Sequence, residues 1–323
     1  MPKSLSLGKL KAPPQSATFR NRRWDPTAEA EALKSLCVKN FWFYFQYGFG
    51  ARANPKGQKW IDDAVHKPLA DWFQMHVEEW TNWRRRGEVR QKLLAIVVHR
   101  EVGKTTLISQ AGQSWLHLVD PEISTFTVSE KLETANRIVA PIKAVMDGSD
   151  KFSLWAPLFG DWSLNSRTWK LNEVVHSARR NTARKDPSLG TAGVETSITG
   201  AHPDVIFRDD PISYERLESD SDWLQRVNDQ TTSLIPVLQG DGMFVDIGTR
   251  YASGDHLGKA FSHPNEGGDG VASLAGTPTD SIEIHEGGLW HVYFMAAKDM
   301  NDKITTPAFG PKSGSIGTSG SIR

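Results

Sequence analysis

The chain has 323 residues, with 38 lysines and arginines against 38 aspartates and glutamates, and a single cysteine, Cys37. This length suffices for one large α/β domain with a smaller subdomain, and the balanced charge gives no global basic character that would indicate a nucleic-acid partner, although basic groups can still gather on one face. One cysteine excludes an intramolecular disulfide framework and suits a reducing compartment, and the apolar runs are too short for a membrane span or a signal peptide.

The first quarter of the chain predicts a flexible arm followed by helices. Residues 1–25 contain Pro, Ser and Arg without periodicity and indicate an arm. Residues 28–47 begin with a helical composition and continue into dense aromatics, which favours packing in a core over a ligand platform. Residues 68–84 carry apolar side chains at helical spacing and predict an amphipathic helix. We therefore expect a helical part over residues 26–90, ahead of a core over residues 91–310.

The strongest local pattern is an apolar run at residues 93–98 followed by His-Arg-Glu-Val-Gly-Lys-Thr-Thr at 99–106. Between a buried strand and a helix, backbone N–H groups converge and favour an anion, and Gly103 permits close backbone approach. Lys104 would reach the β- and γ-phosphates of a nucleotide, and Thr105 would present its hydroxyl to Mg²⁺. An ordinary strand-to-helix turn is the alternative, since the first glycine of the usual pattern is missing. The residues predicted to surround the phosphates are His99, Arg100, Glu101, Val102, Gly103, Lys104, Thr105 and Thr106.

A second polar pattern ends the β-prone run that begins at residue 204, where Asp209 and Asp210 precede Pro211. Hydrolysis of a nucleoside triphosphate requires one acid that holds Mg²⁺ at a strand end and a second that orients and polarises the attacking water. Asp209 fits the first role and Asp210 the second. A solvated turn is the alternative, because acids before proline commonly start turns. The Gly-Lys-Thr loop in the same chain favours the catalytic interpretation.

The elements around these motifs predict a parallel sheet. Helical periodicity at residues 105–118 and 130–146 flanks a β-prone segment at 124–128, a rhythm typical of parallel strands with crossover helices. A further β-prone segment ends in Thr249 and Arg250, polar side chains of the kind that can sense a γ-phosphate across a sheet edge. Parallel sheets bind ligands at the carboxyl ends of their strands. All three motifs lie at predicted strand ends, so we expect them to converge.

In their order and spacing, these motifs resemble the large terminase subunit of tailed double-stranded DNA bacteriophages, over roughly residues 60–310. In that family a glycine-poor phosphate loop with an early arginine replaces the glycine-rich loop, and a strand ends in a Thr-Arg-aromatic "coupling" motif. The resemblance implies an α/β P-loop NTPase of the RecA/ASCE type, with a mainly parallel central sheet flanked by helices and a small helical amino-terminal or lid subdomain. It implies ATP and Mg²⁺ as cofactors. The remaining matching residues are Thr199 and Gly200 before the Asp-Asp strand, Thr249, Arg250 and Tyr251 in the coupling motif, and Asp255 shortly after it.

The resemblance also implies arginines that stabilise charge on the transferred phosphoryl group. Arg100, within the loop, is the candidate in cis, and Arg179, Arg180 and Arg184 are candidates in trans. The alternative for these last three is a basic, solvated connection that could contact DNA. Residues 200–202 are Gly-Ala-His where relatives often carry a basic residue, which leaves the trans-acting arginine unassigned.

The region just upstream of the loop contributes adenine contacts in the resembled family. The candidates here are Trp60, His66 and Gln74, and solvated helix-surface side chains are the alternative. Two positions depart from the family pattern. Asp210 stands where many relatives have the longer glutamate, so backbone placement must restore the geometry around the water. Arg208 occupies a strand position that is usually apolar, and we expect the strand to be emerging into solvent there.

The sequence therefore predicts the ATP-hydrolysing motor domain of a viral large terminase, which translocates double-stranded DNA into a procapsid. The expected partners are DNA, a portal protein and a small terminase subunit, with a homo-oligomeric ring at the procapsid portal in the host cytoplasm and no membrane; whether the isolated chain is a monomer stays open. Relatives continue into a nuclease, for which no room remains before the low-complexity tail at 311–323. We expect Asp280, Glu283 and Glu286 to be surface groups rather than nuclease ligands.

Two alternatives to the packaging motor remain. A helicase-like or other remodelling ATPase would act on nucleic acid, but would require a second RecA-like domain that this length does not accommodate. A non-catalytic assembly or DNA-binding module with a vestigial phosphate loop would explain the missing glycine and the short Asp210.

Overall fold

The computed structural model describes residues 28–54, 61–196, 198, 200–250, 255–257, 282–285 and 290–295. The predicted arm at 1–25 and the predicted tail at 311–323 lie outside the described residues, as do Trp60, Thr199, Tyr251, Asp280 and Glu286. Within the described ranges, none of the helices has the length and apolarity needed to cross a bilayer.

A mixed, mostly parallel sheet forms the centre of the described chain. Its strands are β1 (Lys92–Val98), β2 (Thr125–Ser129), β3 (Thr168–Trp169), β4 (Glu173–Val175), β5 (Leu189–Gly193), β6 (Val205–Asp209), β7 (Met243–Gly248), β8 (Ile282–His285) and β9 (Trp290–Met295). The nine described strands lie in the order β3-β4-β5-β2-β6-β7-β1-β9-β8. The six from β5 to β9 in this order pair in parallel, and β3, β4 and β8 add antiparallel pairs at the two edges.

The helices connect these strands and cover the sheet. They are α1 (Ala28–Lys39), α2 (Asp63–Arg85), α3 (Gln113–Val119), α4 (Leu132–Met146), α5 (Trp155–Phe159), α6 (Tyr214–Ser219) and α7 (Trp223–Leu234). Short helical turns at Phe41–Phe43 and Tyr44–Gly48 follow α1, and a π-helical segment, Thr105–Gly112, leads directly into α3. The chain is therefore an α/β protein whose sheet is flanked by helices.

Both faces of the sheet are buried, which explains the continuous apolar run that precedes the loop. Leu94, Ile96 and Val98 of β1 pack into a large core with side chains of α2, α3 and α4. The alternate residues of β1 pack into a second core on the opposite face, which includes Leu234 of α7. A strand covered on both sides requires apolar residues at successive positions rather than at every second one.

The sequence pattern located most elements that position the motifs. The amphipathic helix predicted from residue 68 begins earlier, at Asp63, because the Asp62 side chain accepts a hydrogen bond from Ala64 N at 2.9 Å and caps it. The pattern did not predict β5. Its sequence, Leu-Gly-Thr-Ala-Gly, has one large apolar residue and two glycines, yet it pairs in parallel with β2 inside the sheet.

Candidate active site

The predicted phosphate loop connects β1 to the Thr105–Gly112 helical segment. Its backbone has positive φ at Glu101 (70°) and Gly103 (76°), so the loop doubles back before the helix begins. Positive φ is unfavourable for a residue with a side chain and persists where surrounding contacts impose it. One such contact comes from α2, where buried His66 makes a 2.8 Å hydrogen bond through Nε2 to the Val102 carbonyl oxygen.

Lys104 is the point at which the three predicted motifs meet. Its side chain is almost fully buried, and Nζ lies 3.0 Å from Asp210 Oδ2 and 3.2 Å from Thr249 Oγ1. Thr249 in turn donates to the Val98 carbonyl oxygen at 3.0 Å. The carboxyl ends of β1, β6 and β7 thus come together around one ammonium group, as the positions of the motifs at strand ends predict.

Asp209 is the buried carboxylate of the site. Its Oδ1 accepts a hydrogen bond from Thr105 Oγ1 at 3.1 Å, and its Oδ2 accepts one from Ser109 Oγ. Its backbone oxygen accepts a 2.8 Å hydrogen bond from Ser129 Oγ at the end of β2. Burial and the nearby charge of Asp210 raise the pKa of Asp209 to about 7, against the hydrogen bonds and the Lys104 charge that lower it. The sequence reasoning missed both serines.

Asp210 adopts a constrained backbone conformation directly after β6. Its φ is 41°, and its N–H donates to the Ile247 carbonyl oxygen at 2.9 Å, which fixes the turn against β7. One carboxylate oxygen, Oδ2, is paired with Lys104. The other, Oδ1, is buried against Gly248 without a hydrogen-bond partner among the described residues. The carboxylate therefore neutralises the lysine while one of its oxygens lacks a donor.

The donor set fits Mg²⁺. The Thr105 hydroxyl and the Asp209 carboxylate are hard oxygen donors, and a divalent cation would offset the burial that disfavours the charged form of Asp209. Among the described residues, no three His, Cys, Asp or Glu side chains cluster as they would to hold a metal on protein ligands alone. Mg²⁺ commonly binds through one or two carboxylates together with water and substrate phosphates.

A cleft of about 480 Å³ opens beside these groups. A volume of this size lies within the roughly 300–1,000 Å³ range of small-molecule sites. The cleft is lined by residues of the loop and of the segments that follow β2 and β6. The lining residues are Arg100, Glu101, Gly103, Lys104, Thr105, Glu130, Thr134, Asp210, Ile212 and Ser213. Of these, the sequence reasoning missed Glu130, Thr134, Ile212 and Ser213, although the rule that ligands bind at carboxyl strand ends would have drawn attention to residues after β2.

The other loop residues divide by exposure. Val102 is buried under the loop, and His99 and Thr106 are half-buried and do not line the cleft. Burial lowers the pKa of His99, with the nearby Lys104 charge acting in the same direction, whereas its hydrogen bond to the Arg100 carbonyl oxygen opposes the shift. Arg100 is exposed on the cleft wall, where a cis-acting arginine would stand.

The structure places the trans-arginine candidates away from the cleft, beside the amino ends of the parallel strands. Arg184 forms a 2.6 Å ion pair with Asp204, which precedes β6 and so lies about 17 Å from the cleft at ~3.3 Å per strand residue. Arg179 is buried and donates to the Asp186 carbonyl oxygen at 2.6 Å. A solvated basic connection is therefore wrong for Arg179 and Arg184, and only Arg180 has an exposed side chain.

Neither described adenine candidate lines the cleft. Gln74 accepts a hydrogen bond from Phe41 N at 2.7 Å and donates to the Lys39 carbonyl oxygen at 2.9 Å, so it joins α2 to the preceding helices. His66 is buried rather than solvated, and both of its ring nitrogens are engaged, one with Asp62 and one with the loop at Val102. Its contact with the loop indicates a role in loop conformation.

The expectation that Arg208 emerges into solvent is wrong. Arg208 is fully buried and makes two hydrogen bonds to Asp246 of β7, from Nε to Oδ1 at 3.0 Å and from Nη2 to Oδ2 at 2.6 Å. Asp246 also lies 3.4 Å from His256 Nε2. Burial by itself would raise the pKa of Asp246, but the charges of Arg208 and His256 outweigh it and hold that pKa well below its usual range.

The other coupling-motif residue, Arg250, pairs with the buried Asp255 at 3.0 Å from Nε to Oδ1. Together with Thr249 it places two polar side chains immediately after β7, one directed at Lys104 and one at the segment that follows. Of this motif, Thr249 and Arg250 are described and Tyr251 is not.

Fold and site together define a class: an α/β protein whose mostly parallel sheet carries a buried lysine, hydroxyl groups and two adjacent carboxylates at the carboxyl ends of its strands, beside an open cleft. No protein-family model matches the chain, and no curated protein matches it.

Proposed function

We propose that the chain is a Mg²⁺-dependent ATPase of the P-loop class. The observation that carries the proposal is the meeting of Lys104, Thr105, Asp209 and Thr249 at the carboxyl ends of three parallel strands. A buried ammonium beside loop amides suits phosphate groups, and a hydroxyl beside a buried carboxylate suits a hard divalent cation. These are the parts that phosphoryl transfer requires.

In the proposed reaction each residue acts through the atom that the geometry presents. The loop amides and Lys104 Nζ bind and orient the β- and γ-phosphates, and Lys104 exchanges its contact with Asp210 for one with phosphate oxygens. Thr105 and Asp209 hold Mg²⁺, which when bound neutralises charge on the phosphates. Arg100 reaches the cleft from the exposed side of the loop and stabilises charge on the transferred group.

The finer fold that we propose is the RecA/ASCE type. Its support is the local order β2-β6-β7-β1, in which one strand, β7, separates the loop strand from the Asp-Asp strand. Because β7 ends between the other two, Thr249 contacts both Lys104 and the end of β1. A side chain in that position can report whether a γ-phosphate is bound.

We further propose, on the resemblance of the motifs to large terminases, that hydrolysis drives translocation of double-stranded DNA into a procapsid. The ring, the portal protein, the small terminase subunit and the cytoplasmic location at the portal belong to this proposal. Arg180 is exposed at the edge of the sheet remote from the cleft. In a ring that edge of one subunit can face the cleft of the next, which keeps Arg180 as the candidate in trans.

The first experiment measures ATP hydrolysis by the purified chain with Mg²⁺, with and without linear double-stranded DNA, over a range of protein concentrations. Lys104→Ala and Asp209→Asn should each lower turnover by about 100-fold or more, because the first removes the charge that binds the phosphates and the second removes the charge that holds Mg²⁺. Lys151→Ala and Asp229→Asn change exposed residues outside the cleft and serve as matched controls.

The outcomes separate the candidate functions. Turnover that DNA accelerates supports a DNA motor, and a rate per subunit that rises with protein concentration supports an arginine in trans. Turnover that DNA leaves unchanged contradicts the motor while keeping the ATPase. An ATP-dependent rise in Tm without turnover in any condition identifies a non-catalytic module, and the absence of both binding and turnover contradicts the whole proposal.

A further inference from the structure

Glu130 is a carboxylate of the cleft that none of the three motifs includes. It directly follows β2, which lies beside β6 in the sheet. The register pairs Val128 with Arg208, so Glu130, two residues further on, lies level with Asp210 at the same strand edge. Its side chain lines the same cleft as the phosphate-loop residues Arg100, Lys104 and Thr105.

The surroundings of Glu130 leave its carboxylate able to accept a hydrogen bond from a water or substrate in the cleft. The side chain is only 15% exposed, and its ion pair is with the exposed Lys131, at a distance of 3.8 Å. Within the described part of the chain, no hydrogen-bond donor contacts its carboxylate oxygens. A carboxylate that faces a cleft and has no protein donor can accept a hydrogen bond from a bound water or substrate group.

Asp210 is placed differently. Its side chain also lines the cleft, but its Oδ2 is 3.0 Å from Lys104 of the loop and its Oδ1 is buried near Gly248 at the end of β7. Its side chain is also one methylene shorter than that of Glu130. Asp210 is therefore well placed to hold Lys104 before phosphate binds, whereas Glu130, which lines the same cleft, has no contact with Lys104 among the described residues.

We propose that Glu130 is the general base of the reaction and that Asp210 is a positioning residue for Lys104; this inference rests on the proposed ATPase function. A water between Glu130 and the γ-phosphate forms the new P–O bond while the bond to the bridging oxygen breaks and its electron pair stays with ADP. Glu130 accepts the proton that the water loses and later releases it to solvent. The products are ADP, inorganic phosphate and one proton.

The test compares Glu130→Gln with Asp210→Asn in steady-state ATP hydrolysis, beside affinity for a fluorescent ATP analogue and Tm. Glu130→Gln keeps the size of the side chain and removes its basicity, so kcat should fall by about 10²–10⁴-fold while the analogue affinity stays within about threefold. Asp210→Asn frees Lys104 from its charge partner, so analogue affinity should change and kcat should fall less than in Glu130→Gln.

Glu133→Gln is the matched control, because Glu133 lies three residues after Glu130, in the first turn of α4, but is 72% exposed and forms an ion pair with Arg137. It should hydrolyse ATP at the wild-type rate. Wild-type kcat in a folded Glu130→Gln that binds the analogue overturns the inference and leaves the ATPase proposal intact. A wild-type chain that neither binds nor hydrolyses ATP overturns both, and the two failures are thereby distinguished.

Discussion

At the scale of single residues, two buried polar side chains brace the elements that carry the site. His66 connects α2 to the loop through the Val102 carbonyl oxygen, and Arg208 connects β6 to Asp246 of β7. Arg208 also donates to the Val227 carbonyl oxygen of α7 at 3.2 Å. Each is buried among apolar groups, where an unpaired partner is costly. Changing His66 should therefore affect the phosphate loop, and changing Arg208 should affect the pairing of β6 with β7.

His66→Ala should weaken nucleotide binding more than it slows turnover. The substitution leaves the buried Val102 carbonyl without its donor, which costs about 1–3 kcal/mol and loosens the loop before it binds phosphate. We expect KM for ATP to rise about tenfold and kcat to change less. Steady-state kinetics measure both constants. His66→Gln, which keeps an amide donor, should recover part of the affinity.

Gln74→Ala is the control for His66, since Gln74 lies on the same helix and contacts Phe41 rather than the loop. It should lower Tm without altering KM. If His66→Ala leaves KM unchanged in a folded protein, the loop does not depend on this hydrogen bond.

Arg208→Met should destabilise the chain strongly, and Asp246→Leu in the same chain should restore much of the loss. Both side chains are fully buried, so removing one leaves the other charged and without its opposite charge in this pair, at a cost of about 3–5 kcal/mol. Replacing both by apolar residues removes that cost. The free energy of unfolding, from urea titration of the two single variants and the double variant, gives the comparison.

The exposed pair formed by Arg137 and Glu133 provides the reference for the buried one. Truncating Arg137 should change the free energy of unfolding by at most about 1 kcal/mol. A double variant less stable than Arg208→Met would contradict the interpretation of Arg208 and Asp246 as a mutually compensating pair.

At the scale of elements, β5 shows how small residues let a strand enter the sheet. Gly190 is opposite Phe126 of β2 in the register, and a Cβ on Gly190 would lie 2.6 Å from the Phe126 ring. A Cβ on Gly193 would lie 2.8 Å from the backbone nitrogen of Leu132, where α4 begins. The glycines thus allow close packing against both β2 and α4, at the edge of the cleft that contains Glu130.

Gly190→Ala should therefore destabilise the chain by about 1–3 kcal/mol through overpacking. Phe126→Leu in the same chain should relieve the clash, so the two substitutions should show a coupling free energy of about 1 kcal/mol in a double-mutant cycle. Strictly additive losses of stability would show that the ring and the glycine do not pack as the register places them. Urea titration of the four variants measures the cycle.

At the scale of the whole molecule, the sheet is covered on both faces, while the cleft opens at the carboxyl ends of its parallel strands. The larger core joins the aromatic amino-terminal helices to α2, α3 and α4, and the second core lies on the opposite face. Buried polar groups within this structure link distant segments. His117 of α3 and His176 after β4 are both buried, with Nδ1 of His117 3.3 Å from Nε2 of His176.

The stability of the whole chain should depend on these histidines in mild acid. Burial lowers the pKa of His176 to about 4 and, with the charge of His176, lowers that of His117 well below its usual value. Between pH 6.5 and 4 these two histidines bind more protons in the unfolded chain than in the folded chain, so their contribution to the free energy of unfolding falls as pH falls through this range. The loss attributable to His176 is at most about 3 kcal/mol.

Urea titrations across this pH range test the effect through the slope of stability against pH. His176→Gln should flatten the slope between pH 6.5 and 4, whereas Ser177→Ala, a change at an exposed neighbour that does not titrate, should keep it. An identical slope in His176→Gln and the unchanged chain would show that His176 is not held neutral.

Local pattern was enough to locate the elements that carry the motifs. Apolar runs identified β1 and β7, helical spacing identified α2 and α4, and polar residues after the runs identified Lys104, Asp209 and Thr249. The convergence of these three followed from the rule that parallel strands share a carboxyl edge. The convergence could be predicted because each motif indicates the end of a strand, and parallel strands place their carboxyl ends at the same edge of the sheet.

What the sequence by itself determined is therefore the class of the fold and the polar groups at its strand ends. Only the tertiary structure decided which strands are neighbours, and through them that Arg208 is buried, that His66 reaches the loop and that Glu130 enters the cleft. The physical reason is that burial and pairing depend on residues far apart in the chain. The residues of β5 do not favour a strand by themselves, but β5 pairs with β2 because Gly190 can approach the Phe126 ring closely.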